Sequence, residues 1–316
     1  MRSIVVYFSQ TGNTRKVAQA LQEGIKKATG TCDAAPMKGF NPNELKAYDF
    51  VGLGCPVYDW DAPQPVKDFL DKWRGLEDKQ AFFFASHGPY RGGVFTDLAQ
   101  HALNRITVVG YRSWYGEVRM QHVPKPYFTD GHPDEQDLAE ARQWGAEMAQ
   151  LGQKVASGEL PRQQADQCPD LIWGKRRVNP GYQQVPGGAQ RVLGLHDVPL
   201  TYDRMKCTYP KCHICIDNCP VDCINLEAKP PVIQGKGCLD CGFCEKICPT
   251  GAIDAEWAPL AKFWRGFIPT NVRLSIETAA RKGYFRSLIP PDAPVEDGTP
   301  FYVLNSRRPR IKIGQV

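Results

Sequence analysis

The 316 residues carry 39 Lys/Arg against 34 Asp/Glu, a formal net charge of +5, with 42% hydrophobic and 23% charged residues. This is an ordinary balance for a soluble chain with room for two domains and a real core in the larger. No run approaches 18 apolar residues, which excludes a spanning helix, and the opening MRSIVVYF lacks a secretory pattern, so a cytoplasmic protein is expected.

The charge is uneven. Residues 255–316 hold ten Lys/Arg and five Asp/Glu, so the basic excess lies in the tail. No basic-aromatic RNA motif or recognition helix accompanies it. An acidic protein partner or an anionic substrate is therefore expected rather than nucleic acid, with a plain solvated surface as the bland reading.

In chain order, Ile4-Val5-Val6-Tyr7-Phe8 is a continuous apolar run, suited to a central parallel strand buried on both faces. Ser9-Gln10-Thr11-Gly12-Asn13-Thr14 follows, and then a segment in which Val17, Ala18, Leu21 and Ile25 share one helical face. A glycine- and hydroxyl-rich loop entering a helix N-terminus suits a phosphate. Backbone N–H groups, the hydroxyls of Ser9, Thr11 and Thr14, and the helix dipole all favour an anion there. The GK[ST] of a Walker loop and the GxGxxG of a dinucleotide loop are both absent. A plain Ser/Thr-rich N-cap is the bland alternative.

Further strands are expected at 31–36, 49–55, 81–85 and within 105–118, with helices near 64–74, 94–103 and 134–156. Strands alternating with helices predict an α/β doubly wound parallel five-stranded sheet, with ligands beyond the carboxyl ends of its strands. Two more loops fall at that edge. The first is Pro56-Val57-Tyr58-Asp59-Trp60, and the second runs from His87 and Gly88 through Tyr90 to Gly92 and Gly93. Cys32 and Cys55 lie in apolar strands and are expected to be inert core thiols.

The first loop resembles the flavodoxin signature from Val5 to Leu21, through two apolar residues, an aromatic, Ser9, Gly12, Thr14, Ala18 and Leu21. The resemblance covers residues 1 to about 155. It implies FMN, with its phosphate on residues 9–14 and its ring sandwiched by the second and third loops. Tyr58, Trp60 and Tyr90 are the stacking candidates, and residues 57–59 and 88–92 supply amides. His87 is a candidate proton donor to the ring; a hydrogen-bonded neighbour is the bland reading.

Residues 157–200, rich in Gly, Pro and Gln, read as a linker, and Cys168 within it has no partner motif. The cysteine-rich stretch is next. Its second run is Cys238-x2-Cys241-x2-Cys244-x3-Cys248-Pro249. The first run repeats it at an offset of 29: Cys212 matches Cys241, Cys215 matches Cys244, Cys219 matches Cys248 and Ile224 matches Ile253. Tyr209 stands where the match to Cys238 belongs, and Cys207 lies two residues earlier.

This spacing resembles a bacterial-type ferredoxin, in which three thiolates of a run hold one cubane and the Cys before Pro holds the other. It implies two [4Fe–4S] clusters in a pseudo-twofold α+β domain over 201–255. One would be held by Cys207, Cys212, Cys215 and Cys248, the other by Cys219, Cys238, Cys241 and Cys244. A plant-type [2Fe–2S] site and a three-iron cluster remain open at Cys207. A zinc ribbon on Cys212/Cys215 and Cys238/Cys241 would leave the other cysteines unexplained. Cys223 matches Ala252 and reads as packing.

Residues 256–316 form a basic extension, helical in places over 257–283, with a terminal hairpin expected around Ser306–Pro309. Trp257, Phe263, Trp264 and Phe267 suit covering a cluster or docking a partner. Together the halves resemble flavodoxin/ferredoxin fusion electron-transfer proteins. The resemblance implies a redox partner protein. An FMN-dependent reductase of a small, anionic substrate is the alternative, and the sequence leaves the oligomeric state open.

Overall fold

The computed structural model describes residues 1–58, 60–119, 123, 125–162, 198–267, 271–290 and 293. Most of the expected linker, Cys168 and the expected terminal hairpin lie outside the described residues, as does Asp59. Of the described residues, 1–117 and 131–162 form one compact unit. Residues 118–130 and those from 198 onward form the other. The segment 118–130 therefore groups with the cysteine-rich part, although it lies within the span expected for the first domain.

The first unit contains a parallel sheet ordered β2-β1-β3-β4-β5. Its strands are β1 (Ser3–Tyr7), β2 (Asp33–Pro36), β3 (Phe50–Pro56), β4 (Gln80–His87) and β5 (Thr107–Tyr115). Its helices are α1 (Asn13–Thr29), α2 (Gln64–Leu70), α3 (Val94–Ala102) and α4 (Glu135–Ala156). This is the flavodoxin-like doubly wound order, and it reverses at β1 and β3. β1, β3 and β4 are buried almost throughout, which explains their unbroken apolar runs.

The expected face of α1 is the buried one: Val17, Ala18, Leu21 and Ile25 meet Val5, Phe82, Phe84 and Trp144 of α4. The valine, leucine, isoleucine and phenylalanine side chains each contribute about 1.5–3 kcal/mol by leaving water. α4 starts at a capping box in which Asp134 and Asp137 bond each other's backbone N–H, and His132 Nδ1 meets Asp137 at 2.5 Å. α2 is shorter than expected. It stops at Leu70, and Trp73 beyond it is fully buried outside the helix. A 3₁₀ turn at Pro42–Ala47, capped by Asn41, was not visible as a pattern. No helix among the described residues is long and apolar enough to cross a membrane.

The second unit is small. β6 (Leu200–Tyr202) pairs antiparallel with β7 (Ile253–Ala255). Two one-turn helices, α5 (Ile214–Asp217) and α6 (Phe243–Lys246), begin and end 29 residues apart, which is the offset of the sequence repeat. Ile224 and Ile253, matched in that repeat, are both buried, with Leu226 and Ile233 beside them. After β7 come α7 (Ala258–Phe267) and α8 (Arg273–Arg281).

Candidate functional site

All five strands run the same way, so the loops after β1, β3 and β4 emerge at one edge of the sheet. In the first loop, Gly12 has φ +94, a conformation glycine adopts without strain, and it opens the N-terminus of the 17-residue α1. Ser9 Oγ accepts the Arg15 N–H at 3.2 Å. Thr14 Oγ1 lies 2.7 Å from Ser86 Oγ, both buried. A hydroxyl has one proton and two lone pairs, so Thr14 can accept from Ser86 and still donate to an anion. The Asn13 side chain is already used: its Nδ2 donates to Glu117 O at 2.9 Å. Gln10 Oε1 accepts from the Tyr58 hydroxyl. The loop is thus fixed to the ends of β4 and β5 by contacts 72 and 104 residues apart.

The second loop begins where Val57 N–H donates to Ser86 O at 3.1 Å, beyond Pro56 at the end of β3. Tyr58 and Asp61 exchange backbone bonds at 3.0 and 2.9 Å. Trp60 between them has φ +73, a strained region for a bulky residue. The third loop holds that strain: Gly93 N–H donates to Trp60 O at 2.7 Å. Gly92 (φ +58) passes so close that a Cβ would stand 1.8 Å from the same oxygen.

Trp60 and Tyr90, both stacking candidates, lie against each other with ring centroids 4.4 Å apart. They form a single aromatic wall. His87 is not poised to donate outward. Its Nδ1 meets Gly88 O at 2.7 Å and its Nε2 meets Ser113 Oγ at 3.1 Å. A carbonyl only accepts, so Nδ1 carries the proton and Nε2 accepts the Ser113 hydroxyl. Burial pushes its pKa down to about 4, against a smaller upward pull from the Gly88 carbonyl, so the ring is neutral near pH 7. His87 is a brace beneath the third loop.

That brace predicts a pH dependence. The unfolded histidine titrates near 6.5 and the folded one near 4, so the unfolded state binds more protons between these values. Stability should be full above pH 6.5 and fall by about 3 kcal/mol as pH drops toward 4. Urea unfolding of wild type and His87→Asn across this range should show a slope in the first and a reduced slope in the second. Equal slopes would mean that other groups carry the acid sensitivity.

In the second unit the cysteines sort into two cavities. Cys207, Cys212, Cys215 and Cys248 line one. Cys219, Cys238, Cys241 and Cys244 line the other. Each cavity draws three thiols from one run and the fourth from the other. Cys207 and Cys238 match in space despite the two-residue difference: each Sγ accepts an N–H two residues on, from Tyr209 and Asp240, at 3.4 Å. Cys248 Sγ accepts the Ala252 N–H at 3.2 Å. The zinc-ribbon pairing is not assembled, since Cys212/Cys215 and Cys238/Cys241 line different cavities. All described cysteines are free thiols. Burial, and then the neighbouring Cys241, push the Cys244 thiol up to about 12. Metal ligation there would release protons. Cys223 also lines the second cavity, its sulfur 3.6 Å from that of Cys219. Cys32 and Cys55 are buried thiols whose pKa values burial raises, as inert core residues should be.

Sequence reasoning did not assign Ser86 or Ser113, whose roles arise only from pairing across the sheet. It also missed Arg15. An Arg15 guanidinium nitrogen stands 3.8 Å from where a Cβ on Gly12 would be, a cation beside the anion-suited loop.

Residues 4–105 match the family model of the flavodoxin domain. An uncharacterized ferredoxin of Methanocaldococcus jannaschii is 38% identical over 18% of this chain and 94% of its own length. A ferredoxin of Streptomyces griseus is 34% identical over 30% of this chain and 90% of its own. A flavodoxin from the domain Archaea, 21% identical, aligns over 48% of this chain and 99% of its own with a TM-score of 0.38. With a flavodoxin domain in its N-terminal part and ferredoxin relatives covered almost end to end by the remainder, the chain belongs to the ferredoxins and is a flavodoxin/ferredoxin fusion.

Proposed function

We propose that this electron-transfer chain carries FMN at the carboxyl edge of its sheet and two [4Fe–4S] clusters in its cysteine cavities, and exchanges electrons with an external protein. The observation that carries the reading is the crossing of the two runs: Cys248 lines a cavity with Cys207, Cys212 and Cys215, and Cys219 lines the other with Cys238, Cys241 and Cys244, Cys223 beside it. The donor set fits. At least four thiols line each cavity, and backbone N–H groups already point at Cys207, Cys238 and Cys248, where they would stabilise a negative cluster. The first loop fits a phosphate by its helix N-terminus, its hydroxyls and Arg15.

When bound, FMN supplies one- and two-electron chemistry and each cluster a one-electron centre. The protein's own work is placement. Ser9, Thr11, Thr14 and loop amides hold the phosphate, Trp60 with Tyr90 walls one side of the ring site, and His87 steadies the third loop. A small-substrate reductase is disfavoured, because its candidate proton donor has both ring nitrogens engaged inside the protein.

Anaerobic titration with dithionite should take up about four electrons per chain, two for the flavin and one for each cluster. Uptake of only two would refute the proposal. Thr14→Ala should weaken FMN by about 1–2 kcal/mol through loss of a charge-assisted hydrogen bond. Ser86→Ala, which leaves the Thr14 hydroxyl in place, should cost less than half of that. Fluorescence titration of the apoprotein with FMN measures both, and equal losses would remove Thr14 from the phosphate site.

A further inference from the structure

The two cysteine loops are copies of one another, so the places where they differ carry information. We infer that the loop carrying Cys207 and Cys212 is the surface where this protein exchanges electrons with its partner, and that the partner is an acidic protein. This rests on the reading of Cys207, Cys212, Cys215 and Cys248 as a cluster site.

Positions 29 residues apart match in the repeat, and their environments diverge. Phe243 in the second copy is 7% exposed, whereas its match Ile214 is 36% exposed. Asp240 in the second copy is matched by Lys211 in the first, which reverses the charge. The second copy is covered. The Trp257 indole lies over Gly242, 3.4 Å from where a Cβ would stand, and Lys246 donates to the Arg119 carbonyl. Among the described residues the first copy is the more exposed. Met205, two residues before Cys207, is 93% exposed, and Arg204, Lys206 and Lys211 near it are exposed as well. Lys206 has a surface ion pair with Asp203 at 3.7 Å, too weak to neutralise the patch.

An adaptable apolar side chain flanked in the chain by exposed cations suits a transient docking surface, with an apolar centre and a charged rim. The rim selects partners of opposite sign and speeds their arrival at low salt. Its place beside the first cavity puts the encounter next to a one-electron centre. Each encounter moves one electron and no atoms: the reduced chain loses one and the oxidant gains one.

The test uses the full holo chain, reduced anaerobically with dithionite and freed of excess, with iron and flavin counted first. Stopped-flow oxidation by ferricyanide, an anion, should slow about tenfold as salt rises from about 20 to about 300 mM. Oxidation by hexaammineruthenium(III), a cation, should not slow. The variant Arg204→Glu/Lys206→Glu/Lys211→Glu should reverse this preference, and Lys229→Glu/Lys236→Glu should change either rate less than twofold. Poly-L-glutamate should protect wild type from ferricyanide and fail to protect the triple variant. Unchanged rates in a triple variant with full iron and flavin would overturn the inference while leaving the proposed function standing. Stronger protection by poly(U) than by poly-L-glutamate would overturn the acidic-protein assignment. A wild-type chain without iron would remove the proposed function, and this inference with it.

Discussion

Replacing Cys215 and Cys248 together by Ser should leave about half of the iron, whereas replacing Cys244 and Cys248 together should remove nearly all of it. The contrast follows from how the cavities are assembled. Cys215 and Cys248 belong to different runs yet line the same cavity, so the pair damages one centre. Cys244 and Cys248 are four residues apart but line different cavities, so that pair damages both. Ligation within each run would give the reverse result. Flavin content should stay near one per chain in both variants, because none of these thiols belongs to the sheet unit. Iron, sulfide and flavin assays on anaerobically purified protein decide the matter.

Gly92→Ala should weaken FMN by about 2 kcal/mol, roughly thirtyfold, by prising the second and third loops apart. Two costs act together at this position. The backbone is left-handed at φ +58, and the new Cβ would stand 1.8 Å from the Trp60 carbonyl oxygen, which is backbone and cannot swing away. Relief requires moving Trp60, which sits against Tyr90 and receives the Gly93 N–H. The control is Gly30→Ala. It shares the left-handed strain at φ +87 but has open space around it, so it should cost stability without changing flavin affinity. Calorimetric titration of each apoprotein with FMN checks both. Equal affinities in the two variants would show that the contact between the loops does not shape the site.

Much of the architecture could be read from the sequence because its signals are local or repeated. The run from Ile4 to Phe8 has no polar interruption because β1 is central and covered on both faces. The repeat was legible because a duplicated motif carries its own register, and the matched helices Ile214–Asp217 and Phe243–Lys246 keep it. What was not legible depends on distant partners. Nothing near His87 in the sequence shows that Ser113 takes its second nitrogen. Nothing near Thr14 announces Ser86. Trp60 and Tyr90 were each recognisable as aromatics at the right edge. Their contact with each other is a product of the Gly92 approach, which no spacing rule encodes. Cys207 sat two residues from its expected place, and only the folded loop shows its sulfur matched to that of Cys238.

The central claim is that one polypeptide holds a flavin and two iron–sulfur cubanes. It is tested most directly by counting cofactors in a single anaerobic preparation of the full chain. The account predicts about eight irons, about eight acid-labile sulfides and about one FMN per chain. A folded preparation holding one or two zinc ions in place of iron, or no flavin, would contradict it.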